Sequence, residues 1–277
     1  MFTLSVHDED ADLVMAVLSG YPIVGVEQGL DSLSVCFEQN DWQADYADAI
    51  RSELATMNVR VHGAHVQVVE DRNWNAEWEA SIEPVIVNER IIIVPEWRTE
   101  EFPHPLRLVI TPKMSFGTGH HATTRMMCQL LEQYVQPGSR WIDVGTGTGV
   151  LAILAARLGA EYVYAFDNDE WSYVNSQENI LRNDVTDAIH LEHTDLHNAT
   201  LPLSSGLAAN LYRHLVIPHA KAFVESVQPG GVLLLSGILR YDADDVTAPF
   251  LELGCRVEEL RTETEWCAIA LRTGGIQ

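Results

Sequence analysis

The stretch Trp141-Ile-Asp-Val-Gly-Thr-Gly-Thr-Gly-Val-Leu-Ala-Ile153 decides the fold of this chain. An apolar run of strand character enters a turn with glycine at 145, 147 and 149, and a helical pattern opens directly behind it. Residues without side chains let backbone N–H groups approach a ligand at a helix start. The sixth position of the dinucleotide fingerprint Gly-x-Gly-x-x-Gly is normally Gly or Ala. Here it is Val150, and an acid, Asp143, stands two residues before the first glycine. The turn therefore departs from the dinucleotide fingerprint at its last position.

Working outward, the next strand is Val163-Tyr-Ala-Phe-Asp167, which ends on an acid 22 residues after Gly145. A carboxylate at that point accepts hydrogen bonds from both hydroxyls of a ribose. Asp195, after a third strand, either faces an adenine amino group or is a solvated loop acid. Upstream lies Phe116-Gly-Thr-Gly-His-His-Ala-Thr-Thr124, a glycine-flanked loop running into a helix. Taken alone it is an ordinary capped helix start. Downstream, Asn210-Leu-Tyr212 falls at the carboxyl edge of a fourth strand, where α/β sheets bind ligands. An asparagine there can accept hydrogen bonds from an amine through its amide oxygen and so aim the nitrogen lone pair.

The rest of the pattern supplies the frame. From residue 120, helices alternate with strands at 140–144, 162–167, near 189, near 208 and at 232–236. This implies a parallel sheet covered on both faces. Single helices are expected up to residue 227 and over 242–253. The strands 255–260 and 265–271 have only a short turn between them and must form an antiparallel hairpin at the sheet edge. Residues 1–70 read as β-α-β-β-α-β, with strands at 2–7, 24–28, 33–38 and 59–69 and helices at 10–18 and 42–57. That order suits a small ferredoxin-like α+β sandwich. A connector helix is expected over 71–82, with Trp74 and Trp78 on one face, and strands at 85–95 and 107–111 lead into the second domain, 83–277.

These segments together resemble the ribosomal protein L-eleven methyltransferases (PrmA-like), a family of class I S-adenosylmethionine-dependent enzymes. The resemblance rests on Phe116-Gly-Thr-Gly119 with Thr123-Thr124, Asp143-Val-Gly-Thr-Gly-Thr-Gly149, Asp167, Asn210-Leu211, Leu235-Ser-Gly-Ile238 and Glu265-Trp-Cys267. Asn73-Trp-Asn-Ala-Glu-Trp78 and Val94-Pro-Glu-Trp97 extend it over nearly the whole chain. It implies a Rossmann-like, seven-stranded methyltransferase domain behind a small N-terminal substrate-recognition domain. It also implies S-adenosyl-L-methionine as methyl donor, with Thr124, Gly145, Gly147, Asp167 and Asn210 as cofactor contacts and Asn210 as the catalytic residue. The chain departs from the family pattern in three places. Ala122 stands where a proline is usual, Ser205 to Tyr212 is shorter and lacks a leading Asp, and Tyr212 replaces a leucine.

Charge sets the partners. The 277 residues carry 40 Asp plus Glu against 17 Lys plus Arg, a net charge of -23, and only Lys113 and Lys221 are lysines. Such a surface repels phosphate backbones and anionic lipid, so direct nucleic-acid binding and membrane association are not expected. Residues 1–80 hold 15 acids and 3 bases, more than half of the excess in under a third of the length. A basic ribosomal protein would be drawn to that part. Four scattered cysteines, no CxxC spacing and no signal-type N-terminus fit a cytoplasmic protein with reduced thiols, expected to be a monomer. His190, His193 and His197 lack the spacing of a metal site, so no metal is expected. The competing readings are methylation of another protein amine or amide, methylation of a small molecule, and a non-catalytic S-adenosylmethionine-binding module. The Asn-Pro-Pro-Tyr of glutamine methyltransferases is absent.

Overall fold

In the computed structural model, the residues described are 1–6, 10–28, 32–38, 40–67, 82–98, 101–113 and 115–274. They divide into two compact units, Met1–Glu77 and Trp78–Gln277. The expected connector over 71–82 lies outside the described residues, apart from Ile82.

The first unit runs β1 (Phe2–Ser5), α1 (Ala11–Leu18), β2 (Ile23–Gln28), β3 (Ser32–Phe37), α2 (Tyr46–Thr56) and β4 (Gly63–Val66). The sheet order is β2-β3-β1-β4, and every pairing is antiparallel. This is the ferredoxin-like arrangement. Alternation along β1 and β3 places Phe2 opposite Val35 and Leu4 opposite Leu33. These four pack with Val14, Leu18, Ile50 and Leu54 into one core. Each such side chain contributes about 1.5–3 kcal/mol relative to exposure. Helix α2 begins later than the expected residue 42. Trp42 instead packs on Phe2, Phe37 and Tyr46, with ring centroids 5.8, 5.0 and 5.9 Å away. The chain turns there before the helix starts. Among the described residues of the strand expected over 59–69, the strand runs Gly63–Val66.

The second unit opens with a small sheet of β5 (Val85–Ile86), β6 (Ile91–Val94) and β7 (Leu106–Val109). The single strand expected over 85–95 is a hairpin, because Asn88 Oδ1 accepts the N–H groups of Arg90 and Ile91 at 2.9 Å and folds the chain back. The main body follows as α3 (Ala122–Tyr134), β8 (Arg140–Val144), α4 (Val150–Arg157), β9 (Tyr162–Asp167), α5 (Glu170–Arg182), β10 (Ile189–His193) and β11 (Ser204–Asn210). It continues with α6 (Arg213–Val216), α7 (Ala220–Glu225), β12 (Val227–Leu239), α8 (Ala243–Glu252), β13 (Arg256–Glu263) and β14 (Trp266–Arg272). The one helix expected up to 227 is two short ones joined by a 3₁₀ turn at Ile217–His219. Pro218 has no N–H with which to continue an α-helical ladder.

The seven strands are ordered β10-β9-β8-β11-β12-β14-β13. All neighbours are parallel except those of β14, which runs antiparallel between β12 and β13. The late hairpin is thus present, with its second strand inside the sheet and its first at the edge. Side chains alternate along β8: Trp141 joins the core under α3 and α4, while Ile142 and Val144 join the core under α6, α7 and α8. The strand order reverses between β8 and β11. That crevice at the strand ends is where open α/β sheets take ligands.

Candidate functional site

The loop after β8 adopts the left-handed backbone its glycines permit, with φ of 69° at Gly145 and 58° at Gly147. A Cβ on Gly147 would lie 2.3 Å from the carbonyl oxygen of Phe116, and one on Gly145 would lie 2.7 Å from Leu211 Cδ2. The glycines therefore allow two other motifs to close on this turn, as well as leaving room for a ligand. Thr148 ties down the first of them: its N–H donates to Phe116 O at 2.9 Å and its hydroxyl to Gly117 O at 2.7 Å.

Asp143 fastens the turn from below. Its Oδ2 accepts the Thr146 hydroxyl at 2.6 Å and the Ala152 N–H, in the first turn of α4, at 3.1 Å. Burial pushes this carboxyl up to about 6, against the lowering effect of those two donors. Asp167, at the end of β9, accepts the Gly147 N–H on Oδ2 at 2.8 Å and the Asp169 N–H on Oδ1 at 3.0 Å. An ionised carboxylate has about four acceptor sites, so about two remain for the two hydroxyls of a ribose.

A cavity of about 200 Å³ is lined by Gly145, Asp167, Asp195, Leu211, Leu215 and His219. Asp195 lines it, but also caps its own turn, accepting the His197 and Asn198 N–H groups on Oδ1 at 2.8 and 3.0 Å. His197 and His219 meet across the cavity wall with 3.4 Å between ring nitrogens. His190 stacks on Tyr164 and His193 on Tyr173.

Asn210 ends β11 across the switch point from the glycine turn. Its Nδ2 donates to Thr123 Oγ1 at 3.3 Å, while its Oδ1 is buried without a partner. Thr124 is 1% exposed, and its hydroxyl likewise has no partner. Helix α3 begins as expected in spite of Ala122, because the His121 ring accepts the Thr123 N–H. The segment 205–212 still forms a strand through Asn210. Tyr212 is 63% exposed and stacks on His214 at 5.8 Å.

The structure thus gathers Gly145, Gly147 and Asp167 around one loop, with Thr123 and Asn210 in contact beside it. Two contributors escaped the sequence reading. One is a set of buried asparagines on α5 and at its C-cap: Asn179 donates to Thr148 O at 2.9 Å and accepts Thr111 N–H at 3.1 Å, and Asn183 exchanges two hydrogen bonds with the Val109 backbone. Their recurrence at 175, 179 and 183, one face of a helix, was the available signal. The other is the placement of Trp266, read in the sequence only within the Glu265-Trp-Cys267 match: its ring lies 4.8 Å from that of His121.

Orphaned acceptors on Thr124 and Asn210, a turn only glycine can make, and spare lone pairs on Asp167 fit a ligand with an amino-acid tail and a ribose. Fold and site together define a class I, Rossmann-like methyltransferase using S-adenosylmethionine. The comparisons with known proteins narrow this. The model of the family "Ribosomal protein L11 methyltransferase (PrmA)" matches residues 10–274. The L11 methyltransferase of Chlorobaculum tepidum is 37% identical over 242 residues, covering 84% of this chain and 83% of that protein. That of Heliobacterium modesticaldum is 38% identical over 206 residues, covering 74% of this chain and 65% of that protein's own length. A crystal structure of ribosomal protein L11 methylase from Lactobacillus delbrueckii subsp. bulgaricus superposes with a TM-score of 0.63 at 25% identity, over 69% of this chain and all of the other. The chain belongs to the ribosomal protein L11 methyltransferase family.

Proposed function

We propose that this chain transfers methyl groups from S-adenosylmethionine to amino groups of the ribosomal protein L11, at lysine side chains, the N-terminal amine or both. The observation that carries the chemistry is the buried, unpartnered Oδ1 of Asn210 at the switch point. S-adenosylmethionine supplies a methyl group already activated by its sulfonium, so what the chain must provide is alignment. On this reading Asp167 holds the ribose, the loop at Gly145 and Gly147 passes along the cofactor, and the Thr124 hydroxyl and Asn210 amide complete its enclosure. Asn210 Oδ1 accepts a hydrogen from the incoming amine and so turns the nitrogen lone pair toward the methyl carbon. A lysine amine, with a reference pKa near ~10.4, must first lose its proton, to water or on entering the less polar pocket.

Residues 1–70 serve as the substrate-recognition domain in this proposal, with their acidic surface facing a Lys- and Arg-rich partner. The chain acts as a cytoplasmic monomer and does not bind nucleic acid directly. Among the described residues, no helix is long and apolar enough to cross a membrane. Incubating the protein with labelled S-adenosylmethionine and 50S proteins from its host tests the assignment. Label on L11 amines is expected. Label confined to a small molecule, or tight cofactor binding with no turnover, refutes it.

A further inference from the structure

The Asn210 side chain has two ends of nearly equal size and opposite chemistry. Only one orientation serves an amine acceptor. With Oδ1 presented, the amine donates a hydrogen and keeps its lone pair free. With Nδ2 presented, an N–H of Asn210 competes for the lone pair that must attack the methyl group. A buried amide of this kind needs something to choose between the two orientations.

The contacts beside Asn210 make that choice. The His121 ring nitrogen Nδ1 lies 3.3 Å from the Thr123 backbone nitrogen and 2.7 Å from the Thr123 hydroxyl. A backbone N–H can only donate, so Nδ1 carries no proton and acts as acceptor. The Thr123 hydroxyl therefore also donates to Nδ1. Its one hydrogen is then committed, and Oγ1 faces Asn210 at 3.3 Å with lone pairs only. The amide end that can meet it is Nδ2, which leaves Oδ1 as the free acceptor. The ring is held in turn between Phe116 and Trp266, with centroids 5.4 and 4.8 Å away, both edge-on. Thr123 is wholly buried, so water does not compete for its hydroxyl.

We propose that Thr123 and His121 are positioning residues that set the orientation of the Asn210 amide, with Trp266 and Phe116 holding the ring that starts the relay. The inference rests on the reading of Asn210 as the group that aligns the amine. The helix cap at His121 uses the backbone N–H of Thr123, so removing the hydroxyl alone breaks the relay and spares the cap.

The test uses the full chain with S-adenosylmethionine and L11. Thr123→Val is expected to lower kcat at least tenfold, with the cofactor Kd within threefold of wild type and KM for L11 little changed. Thr123→Ser, which keeps the hydroxyl, recovers most of that rate. In the Asn210→Ala background, Thr123→Val has no further effect. A second readout needs no turnover. With ¹⁵N-asparagine labelling, the side-chain NH₂ pair of Asn210, assigned by its loss in Asn210→Ala, is expected to shift or broaden in Thr123→Val. Thr123→Ala carries the same expectations if the valine variant does not fold. A kcat loss under threefold, losses that multiply in the double variant, or an unmoved NH₂ pair overturns the relay. If Asn210→Ala keeps the wild-type rate while the NH₂ pair moves, the relay stands and the role of Asn210 in alignment falls.

Discussion

Replacing Asp167 by asparagine isolates the proposed ribose contact, because the change is nearly isosteric and every lost interaction can be counted. In the wild type, Oδ2 takes the Gly147 N–H at 2.8 Å and Oδ1 the Asp169 N–H at 3.0 Å, leaving one acceptor site on each oxygen. Asparagine offers one oxygen, and its NH₂ group must face either the Gly147 or the Asp169 N–H. One ribose hydroxyl then loses a charged acceptor, and a backbone donor in the loop loses its partner. A hydrogen bond to a charged group is worth about 1.5–3 kcal/mol. At 1.4 kcal/mol per tenfold, the Kd for S-adenosylmethionine should rise about 10- to 150-fold. If Asp167 holds only the ribose, as proposed, kcat at saturating cofactor should stay within about threefold, as expected for a contact that is equal in the ground and transition states. Titration calorimetry with S-adenosylmethionine and initial rates on L11 measure the two quantities. An unchanged Kd would remove Asp167 from the cofactor site, and a collapse of kcat at saturation would give it a role in alignment.

Asn210→Ala should show the opposite split, lowering the methylation rate far more than cofactor affinity; equal losses would reduce Asn210 to a cofactor contact. Asp143 gives a pH signature. Its carboxyl is raised from 3.8 to about 6 in the folded chain, so the native state binds this proton more tightly than the unfolded state. Stability from this group is therefore lost as pH rises from about 4 through about 6, by about 3 kcal/mol at 1.36 kcal/mol per unit. Asp143→Asn keeps an acceptor for Thr146 and Ala152, so its melting temperature relative to wild type should rise between pH 4.5 and pH 8. A difference independent of pH contradicts the assignment. Finally, raising ionic strength should slow methylation of whole L11 through kcat/KM and leave cofactor affinity nearly unchanged, given the acid excess in residues 1–80. A rate indifferent to salt would leave that charge as a solubility feature.

The parts of the site that one continuous segment builds were legible in the sequence. The glycine turn, the acid closing β9 and the asparagine closing β11 all follow from period and spacing, because strand ends in a parallel sheet converge by construction. The left-handed backbone of Gly145 and Gly147 was implied by residue type, but its reason was not. The glycines are needed because Phe116 and Leu211, from 31 and 66 residues away, press against them. The same limit hid the relay. His121, Thr123 and Asn210 were each visible, yet nothing local says that a hydroxyl on α3 meets an amide at the end of β11. The breaks at Asn88 and Pro218 were missed differently: one side chain or one missing N–H overrides an apolar run too long to be a single element. The inner position of β14 is set by sheet closure, which no pattern within 255–271 records.

That position governs when the enzyme becomes complete as it is made. Strand β14 fills the gap between β12 and β13, and its first residue, Trp266, is the one that touches His121. A growing chain translated as far as residue 262 already holds the glycine turn, Asp167 and Asn210. It nevertheless exposes the full open edge of β12, and the ring that begins the relay lacks one of its two walls. On the proposed relay, a chain of this sequence is thus unfinished as a catalyst until its late hairpin is in place.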